Sequence, residues 1–308
     1  MEINRVTAQE YELLFPAPIS VFNSVAFSEL NKEKCVDIHY LVFHDRKPRL
    51  GLVVGEKEDR LCVPFSATYG GFSFNNQVSS QHYDDACVAL KAFAESYNKP
   101  LYFTPAPSIY NITDHTKTVS ALIRAGGEIC CLDFNQHFEL ARFKDYENHL
   151  DSKNRNMVRK SLTLGLSCYH YSNDETALIK AYEIIRTNHL ERNYPIRMTL
   201  QNILDTIKII PADVFIVNDS EGHNIASAII FQTTKDIFQV VYWGNIAQYA
   251  HLKSMNFMSY KIFEHYYTQG LNILDIGIST ERGVPNYGLC EFKENIGCCA
   301  TIKYSLKL

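Results

Sequence analysis

The sequence lacks spaced pairs of cysteines. Its nine cysteines include no CxxC pair, and two adjacent pairs occupy positions 130–131 and 298–299, in stretches typical of strands. An odd number of cysteines without a spaced framework is typical of reduced thiols in the cytosol. We therefore expect a cytoplasmic protein without disulfide bonds.

Long apolar runs and an excess of positive charge are also missing. The first residues, MEINRVTAQEYELL, contain no basic stretch followed by an apolar one, so we expect no secretory signal. No apolar run approaches the ~20 residues that a membrane helix needs, and we expect no membrane insertion. The net charge of −4 argues against general binding to the phosphates of DNA, although a local basic pocket remains compatible with it.

Several catalytic signatures do not occur. The sequence contains no GxxxxGK[ST] loop, no GxGxxG after a strand, no HExxH and no GxSxG. These absences argue against P-loop nucleotidases, dinucleotide-binding enzymes, zinc peptidases of the HExxH type and α/β-hydrolases. The histidines are scattered singly, and no pair has helical ligand spacing beside a cysteine or carboxylate. We therefore expect no metal.

The chain does contain one order of elements twice. With 308 residues and 46% hydrophobic residues, it is long enough for two cores of about 150 residues each. Each copy predicts a three-stranded antiparallel meander, then an amphipathic helix, then a further strand. The copies are 37–66, 84–97 and 100–105, followed by 213–245, 252–270 and 272–279. The sequence thus predicts two α+β domains of one type, meeting near residues 136–150.

A helical block separates the two meanders, with predicted helices at 145–164, 174–192 and 199–210. Its first helix carries four cations within eight residues, of which Arg155 and Arg159 are i,i+4 neighbours. Both can therefore point into one cleft and hold a diphosphate or a carboxylate. The alternative is a solvated helix face.

Two glycine-containing stretches follow predicted strands. In TYGGF, residues 68–72, consecutive glycines allow a tight turn or a close approach of the backbone to a ligand. In Trp243-Gly244-Asn245, a strand end precedes a helix whose N-terminal N–H groups could hold phosphate. An ordinary turn and a plain loop are the respective alternatives.

The segment LDIGISTERGVPNYGLCEFKENIG, residues 274–297, places several charges directly after a predicted core strand. Asp275 alternates with apolar residues on that strand, so its carboxylate needs a partner. Lys293 could neutralise an oxyanion or a phosphate, and a nearby carboxylate could take a proton from an attacking amine. Purely structural roles remain open for these residues.

This segment resembles the carboxyl-terminal signature of FemAB-like proteins, which belong to the acyl-CoA N-acyltransferase superfamily with the GNAT-like fold. The resemblance rests on LDIG, a following serine, Asn-Tyr-Gly-Leu and EFKENIG. Residues 152–165 are similar to the basic helix of that family, and residues 64–71 to its proline-to-Gly-Gly turn. The resemblance covers nearly the whole chain. It implies two tandem GNAT-like domains, 1–140 and 141–308, each a mixed, mostly antiparallel twisted sheet flanked by helices, with the donor site in the second.

The resemblance also implies transfer of an acyl or aminoacyl group to an amine, with the donor lying where two strands splay apart. By position one of these strands is 236–243, and the loop 244–251 lies near the donor phosphates. The family has no uniform catalytic base, so Asp275 and Glu281 are chosen from this sequence alone. The predicted site residues fall into three groups. The catalytic group is Lys293, Asp275 and Glu281; the donor group is Tyr242, Trp243, Gly244, Asn245 and Tyr249; the acceptor group is Arg155, Arg159, Tyr69, Gly70 and Gly71. Lys293→Ala is expected to abolish turnover while leaving folding intact.

The sequence departs from the pattern in two places. After residues 236–243 it reads WGNIAQYAHLK, without the Q/R-x-x-G-x-G/A loop of acetyl-CoA-dependent GNAT enzymes, and it lacks the long helical hairpin of many tRNA-dependent Fem transferases. The leading interpretation is transfer from acetyl-CoA or another acyl-CoA to an amino group of a small molecule or a cell-envelope glycan or peptidoglycan precursor. The alternatives are an aminoacyl-tRNA donor, or a non-catalytic ligand-binding member of the fold.

Overall fold

The computed structural model describes residues 1–308, and the chain divides into two compact units. The first unit comprises Met1–Phe134, Thr280–Val284 and Thr301–Leu308, and the second comprises Asn135–Ser279 and Pro285–Ala300. The end of the chain therefore returns to the first unit. The predicted domains, 1–140 and 141–308, stay a prediction, because compactness alone does not show which segments fold independently.

Fourteen strands and nine α-helices form the two units. The strands are β1 Glu2–Val6, β2 Asp37–His44, β3 Pro48–Glu56, β4 Leu61–Val63, β5 Leu101–Phe103, β6 Glu128–Glu139, β7 Ser167–Ser172, β8 Ala212–Asn218, β9 Asn224–Gln232, β10 Ile237–Asn245, β11 Ile273–Ile278, β12 Thr280–Glu281, β13 Val284–Pro285 and β14 Cys299–Lys307. The helices are α1 Ala8–Leu14, α2 Val25–Leu30, α3 Ser80–Ser96, α4 Ile112–Arg124, α5 Ser152–Leu162, α6 Glu175–Arg192, α7 Leu200–Thr206, α8 Ser254–Thr268 and α9 Tyr287–Asn295. Short 3-10 segments are Val21–Asn23, Lys32–Lys34, Leu140–His149 and Ala247–Leu252.

The sheet of the first unit runs in the order β1-β2-β3-β4-β5-β14, followed by the first half of β6. Pairing is antiparallel from β1 to β4 and between β5 and β14, and it is parallel between β4 and β5. Successive residues of a strand point to opposite faces. Accordingly, Leu41 and Phe43 pack in the core with α3 and α4, whereas Tyr40 and Val42 pack with α1.

The sheet of the second unit continues from the second half of β6 through β11, β10, β9 and β8 to β7. Pairing is antiparallel between β6 and β11 and from β10 through β9 and β8 to β7, and it is parallel between β10 and β11. On one face, Met258 and Ile262 of α8 join the core, and the Phe263 ring stacks on Phe138 at a centroid distance of 3.8 Å. On the other face, the Ser227 hydroxyl donates to the Ala181 carbonyl of α6.

The structure confirms both predicted meanders, as β2 to β4 and as β8 to β10, together with α3 and α8 that follow them. The α+β class with mostly antiparallel sheets flanked by helices is likewise confirmed. Our sequence analysis did not identify β1, α4 or β7 as elements. None of the helices combines the length and the apolar character that crossing a membrane would require.

Candidate active site

The strands β10 and β11 are paired over only three positions. The pairs are Ile237 with Ile273, Phe238 with Leu274 and Gln239 with Asp275, and β10 then runs on to Asn245 without further pairing to β11. Both strands are irregular at this level, because the β9–β10 register shifts between Val240 and Tyr242, and the β11–β6 register shifts between Asp275 and Gly277. The two strands therefore diverge beyond Gln239 and Asp275, and we call the space between them the gap. One of its edges is β10, which contains the strand 236–243 predicted to border the donor.

The far half of β10 carries four of the five predicted donor-binding residues. Tyr242 and Trp243 are half-buried on opposite faces of the sheet: the Tyr242 hydroxyl accepts from the Met198 backbone N–H, and the Trp243 ring lies edge-on to Phe292. Gly244 is closely packed, since a Cβ there would lie 2.7 Å from the Asn188 side chain.

The fourth residue on β10 is Asn245, at its end, and the fifth donor-binding residue, Tyr249, lies beyond the strand. The Asn245 carbonyl accepts from the Asn188 amide at 2.6 Å, and Asn245 is buried. Tyr249, in the 3-10 segment Ala247–Leu252, is half-buried, and its ring centroid lies 6.2 Å from that of His223. All five predicted donor-binding residues thus lie on or directly after the strand that borders the gap.

The helix α8 follows this segment and begins without a side-chain cap. Its N-cap residue, Lys253, adopts a left-handed conformation with φ +54°, and no side chain bonds to the first turn. The first N–H groups of a helix carry partial positive charge and bind anions readily. The start of α8 can therefore hold a phosphate group, as the sequence predicts for this junction.

Lys293, on α9, is buried with only 1% of its surface exposed. Its Nζ donates to the carbonyl oxygens of Ile276 at 3.0 Å, Gly277 at 2.9 Å and Ile278 at 2.9 Å. An ammonium group has three N–H bonds, so all of them are directed to the backbone of β11. Burial lowers the pKa of Lys293 to about 8. In this structure the ammonium holds the far end of β11 rather than facing a ligand, and its predicted contact with a donor stays a prediction.

The helix α9 contacts both of the strands that diverge. Phe292 packs against Trp243 of β10, and its neighbour Lys293 bonds to the carbonyls of β11. A helix placed in this way fixes the positions of the two strands across the gap. The helix α9 thus supports both strands beyond the three positions at which they pair.

Asp275 is fully buried and accepts three hydrogen bonds. The donors are the Asn135 amide at 2.8 Å, the Gln239 amide at 2.7 Å and the Gly277 backbone N–H at 2.9 Å. The sequence predicted that this carboxylate needs a partner, and the structure confirms it. These bonds join β6, β10 and β11 where the strands diverge, which is a structural arrangement. The catalytic role implied for Asp275 stays a prediction.

Glu281, the third residue of the predicted catalytic group, is exposed and belongs to the first unit. Asp275 and Lys293 are both buried in the second unit. The structure therefore brings Asp275 and Lys293 together around the bulge of β11, whereas Glu281 has a different environment. Its predicted catalytic role stays a prediction.

Arg155 and Arg159 lie on α5, and both bond to residues of the preceding 3-10 segment. Arg155 donates to the carbonyls of Glu147 and Leu150, and Arg159 donates through two nitrogens to the Glu147 carboxylate. The Glu147 pKa is lowered by that pairing. Arg159 thus pairs with a carboxylate of the chain itself, whereas Arg155 bonds to backbone carbonyls, so the two do not share one anion through these bonds. Their predicted role in binding a substrate stays a prediction.

The predicted acceptor residues Tyr69, Gly70 and Gly71 line a narrow cleft in the first unit, with a cavity volume of about 20 Å³. The three have different surroundings. Tyr69 is 1% exposed and its hydroxyl accepts from Ser20, while a Cβ on Gly70 would lie 2.9 Å from Val63. A Cβ on Gly71 would have nothing nearer than 3.7 Å. Gly71 is therefore the member of the motif that leaves room for a ligand.

The same cleft is lined by residues of α4 that the sequence analysis did not select. The Asp114 carboxylate accepts from the Tyr83 hydroxyl, and burial raises the Asp114 pKa. His115 Nδ1 donates to the Ala106 carbonyl at 2.8 Å, and burial lowers the His115 pKa. The hydroxyl of Thr118 is buried without a hydrogen-bond partner. The N-cap Asn111 before an acidic first turn could have identified this helix.

Comparison with solved structures gives likenesses over the whole chain. FemX matches at 12% identity with a TM-score of 0.71, over 100% of this chain and 97% of that one. L-PGS from Bacillus licheniformis matches at 12% identity with a TM-score of 0.61, over 98% and 92%. A tandem GNAT protein from the clavulanic acid biosynthesis pathway matches at 8% identity with a TM-score of 0.54, over 100% and 98%.

No protein family and no curated protein matches the sequence. The TM-scores of 0.54 to 0.71 over nearly the whole chain show a shared fold. The sequence identities of 12% or less leave the substrate open. The chain has a FemAB-like fold of two tandem GNAT-like parts, and this confirms the fold that the resemblance implied.

Proposed function

We propose that this chain is an N-acyltransferase. It would move an acyl group from acetyl-CoA or another acyl-CoA to an amino group of a small molecule or of a cell-envelope glycan or peptidoglycan precursor, in the cytoplasm. The observation that carries the proposal is the divergence of β10 and β11 after three paired positions. Backbone N–H groups along diverging edges have no partner in the ladder, so they can bind an extended donor and an oxyanion. FemAB-like and GNAT-like proteins hold their donors in such a gap, which supports the assignment.

In the proposed reaction the acceptor amine attacks the carbonyl carbon of the donor thioester. A C–N bond forms and the C–S bond breaks. The thiolate of CoA leaves and takes up a proton, while the amine nitrogen loses one. The backbone of β10 beside its bulge would stabilise the oxyanion. Lys293 and Asp275 act here as positioning residues, because the ammonium and the carboxylate bond to the chain itself.

The donor phosphates would lie at the start of α8. This helix has 15 residues and no side-chain cap, and Lys253 stands at its N-cap position. Its partial positive charge and the lysine side chain favour an anion there. This arrangement would take the place of the Q/R-x-x-G-x-G/A loop that the sequence lacks.

The acceptor would occupy the cleft of the first unit beside Gly71. The cleft offers the unpartnered Thr118 hydroxyl and the half-buried His115, which are groups that can bond to a polar ligand. A neutral imidazole with Nδ1 bonded to a carbonyl has Nε2 as an acceptor. An amine or hydroxyl of a glycan or peptide precursor is a suitable donor to it.

A second candidate is transfer from an aminoacyl-tRNA. It is suggested by the sequence WGNIAQYAHLK after β10, which departs from acetyl-CoA-dependent GNAT enzymes. A non-catalytic member of the fold would bind neither donor.

Calorimetric titration of acetyl-CoA and free CoA into the full chain tests the proposal. We expect micromolar binding of both ligands, weakened at least tenfold by Lys253→Glu and unchanged by Lys180→Glu, an exposed control on α6. Absence of binding by either ligand would discard the acyl-CoA donor. Charged tRNA would then be titrated, and no binding of it would leave a non-catalytic module.

A further inference from the structure

Three residues with different metal-binding groups lie together in the second unit. They are His137 and Glu139 on β6 and Cys299 at the start of β14. One ligand atom from each residue lies within 4.8 Å of the other two. These are an imidazole nitrogen, a carboxylate oxygen and a thiol sulfur, all of which are zinc ligands.

The strand geometry explains why they meet. Alternate residues of a strand point to one face, so Asn135, His137 and Glu139 follow one another along the same face of β6. Asn135 bonds to the Asp275 carboxylate, and His137 lies directly opposite Asp275 in the register of β6 with β11. On its other side β6 neighbours β14, whose first residue is Cys299.

The groups are available for a ligand. His137 is 5% exposed, and its Nδ1 has no hydrogen-bond partner. A buried polar atom without a partner is uncommon and points to an unfilled bond. Glu139 is half-buried and pairs with Arg142 through one carboxylate oxygen at 2.7 Å, which leaves its second oxygen. Cys299 is also half-buried, so the cluster can be reached from solvent.

We propose that His137, Glu139 and Cys299 form a site for a divalent transition metal of the zinc class, with the fourth coordination position open. Zinc accepts nitrogen, oxygen and sulfur ligands in tetrahedral geometry, and three protein ligands leave a position for water or substrate. In such a site the ligand atoms are about 3.3–3.6 Å apart, given metal–ligand bonds of about 2.0–2.3 Å.

Two other clusters of possible metal ligands are weaker candidates for a metal site. They are His170, Asp213 and His265, and Asp37, His39 and Glu56. The Asp213 carboxylate already accepts from Ser172 at 2.6 Å and from Tyr266 at 2.8 Å. The Glu56 carboxylate is paired with Lys99 at 2.6 Å. Both oxygens of the Asp213 and Glu56 carboxylates are thus bonded within the chain, whereas Glu139 pairs with Arg142 through one oxygen.

The test is titration of Co²⁺ into the full chain after treatment with a chelator. Cobalt bound to a thiolate gives a charge-transfer absorption, so the spectrum reports on the cysteine directly. We expect one equivalent of tightly bound Co²⁺ with this absorption, displaced by Zn²⁺. Cys299→Ser should abolish the absorption, and His137→Gln and Glu139→Gln should each weaken binding at least tenfold.

The matched controls are Cys130→Ser, which replaces an exposed cysteine of β6, and His149→Gln, which replaces an exposed histidine. Neither should change the binding of Co²⁺ or its absorption. Circular dichroism of each variant establishes that it is folded. If Cys299→Ser does not fold, the two glutamine variants decide. Binding well below one equivalent, binding that survives all three ligand variants, or binding lost in Cys130→Ser would overturn the site. None of these results depends on acyl transfer, so the outcome is separate from that of the proposed function.

Discussion

The ammonium of Lys293 lies 2.9 Å from the carbonyl oxygen of Gly277, at the point where β11 leaves its neighbour β10. Gly277 has φ +75°, a backbone conformation that residues with a side chain rarely adopt. The irregular end of β11 thus depends on one glycine for its conformation and on one buried lysine for three of its hydrogen bonds. A substitution at either residue should therefore alter both the end of β11 that borders the gap and the stability of the chain.

Contrary to the expectation from sequence that folding stays intact, Lys293→Ala should lower the free energy of unfolding by about 2–5 kcal/mol. The substitution leaves a cavity and removes the donor from three carbonyl groups. Lys293→Met keeps the volume and should cost less. Lys160→Ala, an exposed lysine on α5, should change the value by less than about 0.5 kcal/mol. Denaturant unfolding measures all three. A stability of Lys293→Ala equal to that of the unsubstituted chain would show that the lysine does not hold β11.

The stability of the chain should rise with pH above about 8, relative to Lys293→Met. Burial lowers the pKa of Lys293 from 10.5 to about 8, so between these values the unfolded state binds more protons than the folded state. Stability increases with pH wherever the unfolded state binds more protons. The difference in unfolding free energy should therefore change by about 3 kcal/mol across this window and be constant below it. Unfolding curves of both proteins from pH 7 to pH 10.5 measure it, and parallel pH profiles would contradict it.

Asp275→Asn should lower the free energy of unfolding by about 1–3 kcal/mol, because the new amide turns an N–H toward one of three existing donors. Asp236→Asn, in an exposed turn, is the control and should have little effect. If Asp275 were also the catalytic base, turnover of the folded variant would be lost entirely. If it is a positioning residue, part of the turnover remains and the pH–rate profile keeps its shape.

The two glycines of the TYGGF motif should respond differently to alanine. Gly70→Ala places a Cβ 2.9 Å from Val63 and 3.1 Å from the Pro64 nitrogen, and it should lower the free energy of unfolding by about 1–3 kcal/mol. Gly71→Ala meets nothing nearer than 3.7 Å, so stability should be unchanged. If the cleft binds the acceptor, Gly71→Ala should raise the KM for the amine without lowering the melting temperature. Equal losses of stability in both variants would contradict the difference in packing.

Much of the fold could be predicted because the order of apolar and polar residues along the chain indicates the two meanders and the helices that follow them. Val, Ile and Phe alternate or cluster between charged turns, and each following helix carries apolar residues at helical spacing, as at Cys87 and Leu90 of α3. The strands β1 and β7 carry mostly exposed side chains, so they have no strong apolar pattern. Their place in the sheets depends on pairing with β2 and β8, which local sequence does not encode.

The sequence by itself determined the repeated order of elements, the glycine motifs and the partner that Asp275 requires. Each of these follows from the periodicity of neighbouring residues or from the cost of burying a charge. Tertiary structure alone decided that Lys293 turns toward the carbonyls of β11, that Arg159 pairs with the Glu147 carboxylate, and that Cys299 meets His137. These relationships join residues from different elements, and they depend on the register and the divergence of strands. Only the assembled sheet specifies them.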